Sequence, residues 1–213
     1  MGKINNNLVG GFSGQTGNMI GYMWRGKWYV RSKPKQYRDA CTEQQVAQRS
    51  LFRNMVAFAG KAKYVLRLGL HQASLDNHIT ECNYFIRINK GCFSMEEGEF
   101  VVDYIDLVLS EGPVAPVAFK AVQVIDETTV RIGFDKNPEH RAVKPGDSVY
   151  LAGYSPEHDM FMLSAPFSRS SESVEMKFPS EWAGSQLHLW GFVCDGLGNA
   201  SPDEYIGCGV LAL

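Results

Sequence analysis

The chain has 213 residues, 45% of them hydrophobic, 12% aromatic and 21% charged, with a formal net charge of −2. This composition predicts a sizeable core and excludes wholesale disorder, and no run of about eighteen apolar residues is present to predict a membrane-spanning helix. The small net charge hides a polarity: residues 1–70 carry twelve Lys and Arg against Asp39 and Glu43, a formal +10, whereas residues 71–213 carry nine against twenty-one acids, a formal −12.

A basic third joined to an acidic remainder points to a polyanion partner or to docking of one part on another, within one molecule or between copies. The first thirty residues hold no apolar leader stretch. The five cysteines (Cys41, Cys82, Cys92, Cys194, Cys208) form no CxxC pair, so reduced thiols and a cytoplasmic location are the expectation.

Glycines recur between Gly10 and Gly26, interleaved with aromatic and β-branched residues. Residues 19–24 and 28–32 read as two strands around Arg25-Gly26-Lys27, a β-hairpin. The repeated glycines mark positions that need positive φ or close approach of another backbone. Thr42-Glu43-Gln44-Gln45 reads as a capping box, and Val46, Phe52, Met55, Val56 and Ala59 follow at helical spacing to about Ala59. Gly60 ends or kinks this helix, residues 61–70 read as a second, and residues 75–89 as a third closed by Lys90-Gly91.

Beyond Gly91 the period changes. Residues 100–109, 114–125, 128–134, 147–154, 160–163, 173–178, 186–194 and 205–213 read as strands, most of them separated by Gly, Pro, Asn and Asp. The expected fold is α+β, mainly β: a Gly-rich N-terminal hairpin and two or three helices (residues 1–98), then an antiparallel sandwich (residues 99–213). Leu187-His188-Leu189-Trp190-Gly191-Phe192-Val193 reads as a central strand and Asp195-Gly196-Leu197-Gly198-Asn199 as a hairpin turn. This ending resembles the last two strands of fibronectin type III or immunoglobulin-like modules.

Gly11-x-x-Gly14-x-x-Gly17-Asn18-x-x-Gly21, then Gly26-Lys27-x-Tyr29-Val30-Arg31-Ser32-x-Pro34, then Thr42-x-x-Gln45 and Gln48-Arg49, resemble a widespread Bacteroidetes family known only as a domain of unknown function. Asp103-Tyr104, Leu107-Val108-Leu109-Ser110-x-Gly112 and the closing Tyr205-Ile206-Gly207 fit the same family. Gln15-Thr16 and Cys41 depart from its pattern. The resemblance implies a helical-plus-sandwich protein and supplies no activity.

Chemistry-bearing motifs are incomplete. Gly21 to Lys27 fits GxxxxGK, but Trp28 stands where a P-loop needs Ser or Thr, and a strand follows instead of a helix. Ser13 and Ser155 lack the closing glycine of a nucleophile elbow. The histidines His71, His78, His140, His158 and His188 show no HExxH or i,i+4 pair. Glu96-Glu97-Gly98-Glu99 and Asp203-Glu204 do not match a calcium loop. The expectation is a non-enzymatic protein without cofactor or metal.

One constellation carries a functional reading. Trp24, Arg25, Lys27, Trp28, Tyr29, Arg31, Lys33, Lys35 and Arg38 combine cations with rings and form the candidate interaction surface. Strand alternation puts Lys27, Tyr29 and Arg31 on one face and Trp28 and Val30 on the other. The expected partner is a protein or a second copy, meeting the basic region or a sheet edge. Single-stranded nucleic acid is the first alternative, and a glycan or other ligand on sandwich aromatics such as Trp182 or Tyr154 is the second.

Overall fold

The computed structural model describes residues 2–3, 12–34, 41–135, 143–144 and 146–210. It divides into two compact units, Met1–Gln45 and Val46–Leu213. The boundary expected at residue 98 falls inside the second unit.

The first unit is an antiparallel sheet of β1 (Gly2–Lys3), β2 (Gly14–Thr16), β3 (Met19–Trp24) and β4 (Lys27–Ser32), in the order β1-β4-β3-β2. The expected hairpin is its centre. Arg25 and Gly26 form its turn with φ of 47° and 73°, the two positive values that a tight right-twisting hairpin demands. Gly21 is needed for another reason. A Cβ there would meet the Phe12 carbonyl oxygen and lie 2.7 Å from the Phe12 ring, so only glycine permits the approach. After the sheet, the capping box forms: the Gln45 N–H donates to Thr42 Oγ1 (3.3 Å) and the Thr42 N–H to Gln45 Oε1 (3.4 Å).

Helix α1 (Glu43–Lys61) runs through Gly60, where the sequence predicted a stop or kink, and α2 (Lys63–Gly69) follows. The single helix expected over residues 75–89 is two, α3 (His71–Asp76) and α4 (Glu81–Ile88). His78 adopts φ 56° between them. Thr80 Oγ1 accepts the Asn83 N–H (3.2 Å) and caps α4; a side chain that satisfies a first-turn donor starts a helix rather than continuing one.

A 3-10 turn (Lys90–Cys92) leads into a hairpin of β5 (Phe93–Glu96) and β6 (Glu99–Val102). The strand expected over residues 100–109 therefore stops at Val102, and residues 103–117 form an irregular strap. The strap is held by side chains instead of a ladder. Asn89 Oδ1 accepts the Val108 N–H (2.7 Å), and Asn89 Nδ2 donates to the Val108 carbonyl (2.8 Å).

The sandwich comprises β7 (Ala118–Asp126), β8 (Thr129–Asp135), β9 (Ser148–Ser155), β10 (Met160–Leu163), β11 (Phe167–Ser168), β12 (Ser173–Lys177), β13 (Gln186–Cys194) and β14 (Glu204–Val210). One sheet has the order β12-β8-β7. The other has β10-β9-β13-β14, with β11 also on β9. This is an antiparallel two-sheet sandwich, as the sequence predicted. Val130, Ile132, Val174 and Met176 of the first sheet pack against Val149, Leu151, Leu187, Leu189 and Val193 of the second.

A third layer covers the outer face of the larger sheet. Met55 and Phe58 of α1, Val65 and Leu66 of α2, and Tyr84 and Phe85 of α4 join Ala152, Tyr154, Trp190 and Phe192 in one buried cluster. Successive residues of β13 thus face opposite cores, Leu187, Leu189 and Val193 towards the sandwich and His188, Trp190 and Phe192 towards the helical side.

Candidate interaction surface

The register of the N-terminal hairpin decides which residues share a face. Trp24 lies opposite Lys27, Tyr22 opposite Tyr29 and Ile20 opposite Arg31. Directly paired residues project to the same side, so one face carries Ile20, Tyr22, Trp24, Lys27, Tyr29 and Arg31. Tyr22 and Tyr29 stack with centroids 5.8 Å apart, and Trp24 meets Tyr29 edge-on at 6.1 Å. The Arg25 guanidinium sits over the Trp24 ring, 5.7 Å from its centroid, a cation–π contact.

The candidate residues are therefore not one surface. Trp24, Lys27, Tyr29 and Arg31 share the face, Arg25 reaches it from the turn, and Trp28 lies on the opposite face with Met19, Met23 and Val30. Tyr29 is buried beneath its neighbours, and Trp24 and Arg31 are exposed. Lys33 follows β4, and its N–H donates to the Asn18 carbonyl (2.7 Å). Lys35 and Arg38 lie outside the described residues. The sequence reading omitted Tyr22 from the candidates. The alternation that grouped Lys27, Tyr29 and Arg31 also groups Ile20, Tyr22 and Trp24 once the two-residue turn sets the register.

The opposite face leaves large apolar side chains in water: Met19 is 50% exposed and Met23 is 60% exposed. Among the described residues of the first unit, Phe12 lies against Gly21 and no second sheet packs on this one.

In the second unit, polar groups with unusual surroundings act on the fold. Arg169 is buried and donates through Nη1 and Nη2 to the carbonyls of Ala115 (2.6 Å) and Pro116 (2.9 Å), with Asp147 3.7 Å away. Asp203 accepts the N–H groups of Leu109 (3.2 Å) and Ser110 (3.1 Å). Burial nonetheless pushes its carboxyl up to about 6, against the pull of those donors. His188, whose burial the sequence left open, is buried; it stacks on Tyr104 at 3.9 Å, and Nδ1 lies 2.8 Å from the Tyr205 hydroxyl. Its burial holds the imidazole below its ordinary value.

A cleft of about 390 Å³ in this unit is lined by Asn54, Phe58, Lys61, Phe100, Tyr104 and Asp159, among others. Its polar rim is closed on itself: Lys61 pairs with Asp159, which also accepts the Tyr154 hydroxyl proton (2.8 Å). The sandwich aromatics named for ligand binding are buried. Trp182 is 2% exposed between Phe178 and His158, and Tyr154 is 4% exposed. Neither forms a surface platform, because each fills a core instead. Among the described residues, no three His, Cys, Asp or Glu side chains cluster to hold a metal ion, and no helix is long and apolar enough to cross a membrane.

Residues 11–207 match a family of unknown function, DUF6266. The chain belongs to that family. No curated protein matches it. Among solved structures, the chain is similar to the chicken CNTN1 FN1-FN3 domains (9% identity, TM-score 0.38), with 49% of this chain and 34% of that one covered. It is similar to an fn3 domain of human contactin 1 (10% identity, TM-score 0.37, 48% of this chain and 82% of that one). An fn3 domain of the human collagen alpha-1(XX) chain is a further neighbour (14% identity, TM-score 0.35, 48% and 85%). The DUF6266 chain thus spans about a third of the CNTN1 fragment it matches.

Proposed function

We propose that this DUF6266 protein is a non-enzymatic interaction protein that assembles through its basic N-terminal sheet. The observation that carries the proposal is the exposure of large side chains on this sheet. Trp24 stays exposed on the face that also carries Lys27 and Arg31, and Met19 and Met23 stay exposed on the opposite face, in a segment, residues 1–38, that holds seven Lys and Arg and no acid. An exposed ring beside charge of one sign marks an interaction surface. The unusual polar groups of the second unit are engaged by one another or by the backbone, Arg169 through both Nη atoms, Asp203 through both oxygens, and Lys61, Asp159 and Tyr154 among themselves, which supports a scaffold rather than a reaction centre.

The test is light scattering coupled to size exclusion on the full chain at about 50 mM and about 500 mM salt, which brackets weak and strong screening. An oligomer at low salt that dissociates at high salt is expected. A monomer at both, at high protein concentration, refutes the proposal. A second reading has one observation in its favour: Tyr22, Trp24, Lys27 and Arg31 share a face, an arrangement suited to stacking bases beside phosphates. Fluorescence anisotropy with a labelled single-stranded oligonucleotide at about 50 mM salt tests it, and no binding there ends it.

A further inference from the structure

The N-terminal sheet needs a complementary surface, and the second unit presents one. The β5–β6 hairpin is a two-stranded sheet, so among the described residues its outer edges carry no strand partner. Its inward residues Phe93, Phe100 and Val102 pack on the helical core. Its outward face carries Ser94, Glu96, Glu99 and Val101, with Glu96 directly opposite Glu99 and Ser94 opposite Val101.

The strap continues that surface. The Asp103 N–H donates to the Cys92 carbonyl (2.8 Å), and Asp103 Oδ1 accepts the Ile105 N–H (3.0 Å). Val101 is 38% exposed and Ile105 is 69% exposed. Residues 91–119 hold six acids and no Lys, Arg or His. No ion pair among the described residues involves Glu96, Glu97, Glu99, Asp103 or Asp106. Open strand edges, exposed apolar residues and unneutralised carboxylates thus coincide. They are the counterpart of the sheet face that carries exposed Trp24 with Lys27 and Arg31, in a segment without an acid.

Resting on the assembly reading above, we infer that the N-terminal sheet of one copy docks on the outer face of the β5–β6 hairpin and strap of a second copy. The contact is heterologous, basic surface to acidic surface, so each molecule keeps one free surface of each kind. Such contacts close into a ring or run on as a filament. Apolar contact between Trp24, which shares the face of Lys27 and Arg31, and Val101 or Ile105 supplies attraction, and the opposed charges set orientation and discourage like-to-like pairing.

The test uses charge reversal in the full chain. One variant carries Lys27→Glu, Arg31→Glu and Lys33→Glu; the other carries Glu96→Lys and Glu99→Lys. The second exchanges one like-charged cross-strand pair for another, so the hairpin's own stability changes little. Each variant alone is expected to lose the low-salt oligomer by light scattering, and an equimolar mixture is expected to regain it. Circular dichroism and melting curves like those of the starting protein establish that loss of assembly is not loss of fold. If the starting protein assembles, the basic-face variant does not, and the Glu96/Glu99 variant still does, the acceptor surface is wrong while the assembly reading stands. A monomeric starting protein removes both. A monomer whose N-terminal reversal abolishes oligonucleotide binding reassigns the face to nucleic acid and overturns the inference.

Discussion

Asp203 gives the sharpest test of how the second unit is held together. Its carboxylate ties the irregular strap to the segment entering β14 by accepting the N–H groups of Leu109 and Ser110. Both donor residues are buried, at 0% and 1% exposed. Asp203→Ala leaves two buried donors without an acceptor, at about 1–3 kcal/mol each, so about 2–6 kcal/mol in total while the native carboxyl is neutral. The carboxyl sits at about 6 in the fold against about 3.9 in an unfolded chain. The folded state therefore binds the proton more tightly. The stability this confers is complete below about pH 3.9 and is lost as pH rises through 6. At about 1.4 kcal/mol per unit, that loss is about 2–3 kcal/mol. Part of this is already lost at pH 4.5, so the cost of Asp203→Ala should shrink by about 2 kcal/mol between pH 4.5 and pH 7.5. Asp203→Asn keeps one acceptor and no charge. It should cost about 1–3 kcal/mol at pH 4.5 and close to nothing at pH 7.5. Urea unfolding of the three proteins at both pH values reads these differences. A cost for Asp203→Ala that is flat or grows with pH refutes the raised carboxyl. A cost below about 0.5 kcal/mol at pH 4.5 refutes the tie itself.

Other substitutions probe independent parts of the molecule. Gly21→Ala drives a methyl group into the Phe12 carbonyl, and hydrogen exchange of the β3–β4 amides should accelerate by tenfold or more, about 1.4 kcal/mol or above; unchanged protection would show that Phe12 moves aside freely. Arg169→Ala removes the donors that hold the Ala115 and Pro116 carbonyls and takes the cation away from buried Asp147, which keeps the Lys144 N–H. It should cost about 3–5 kcal/mol by urea unfolding, and a loss under about 1 kcal/mol would mean the clamp is dispensable. His188 is held below its ordinary value by burial, so the unfolded chain takes the proton first. Its contribution is whole above about pH 6.5 and falls as the pH drops below that. In an Asp203→Asn background, where the opposing carboxyl window is removed, His188→Gln should flatten the stability slope between pH 5 and pH 6.5.

The elements legible in the sequence are those whose signal is local. The Arg25-Gly26 turn, the Thr42–Gln45 box, and strands β10 and β13 form where turn chemistry, capping and alternation put them. The misread segments are those in which a distant partner outweighs local preference. Residues 103–109 are rich in β-formers, yet they are drawn into a strap because Asn89 and Asp203 offer their backbone side-chain partners. Asn89 is 19 residues away from Val108, and Asp203 more than 90 from Leu109 and Ser110. No short window registers such contacts. The break at residues 77–80 is different: Thr80 is a recognisable cap, and apolar periodicity across it was given too much weight.

The placement of the helices was encoded in a pattern read for a narrower purpose. A sandwich strand with one face in water alternates apolar and polar residues, whereas a strand covered on both sides reads as a nearly unbroken apolar run. Residues 187–194 are such a run, and all eight are buried. Leu187 and Leu189 account for the sandwich side; Trp190 and Phe192, pointing the other way, require a second cover. Helix α1 meets that requirement with Met55 and Phe58, while Val46, Phe52 and Val56 remain exposed. The same rule separates the N-terminal sheet from the sandwich. In β3 and β4 only Gly21 and Tyr29 are buried, so no run is covered on both faces, and Met19 and Met23 are left in water.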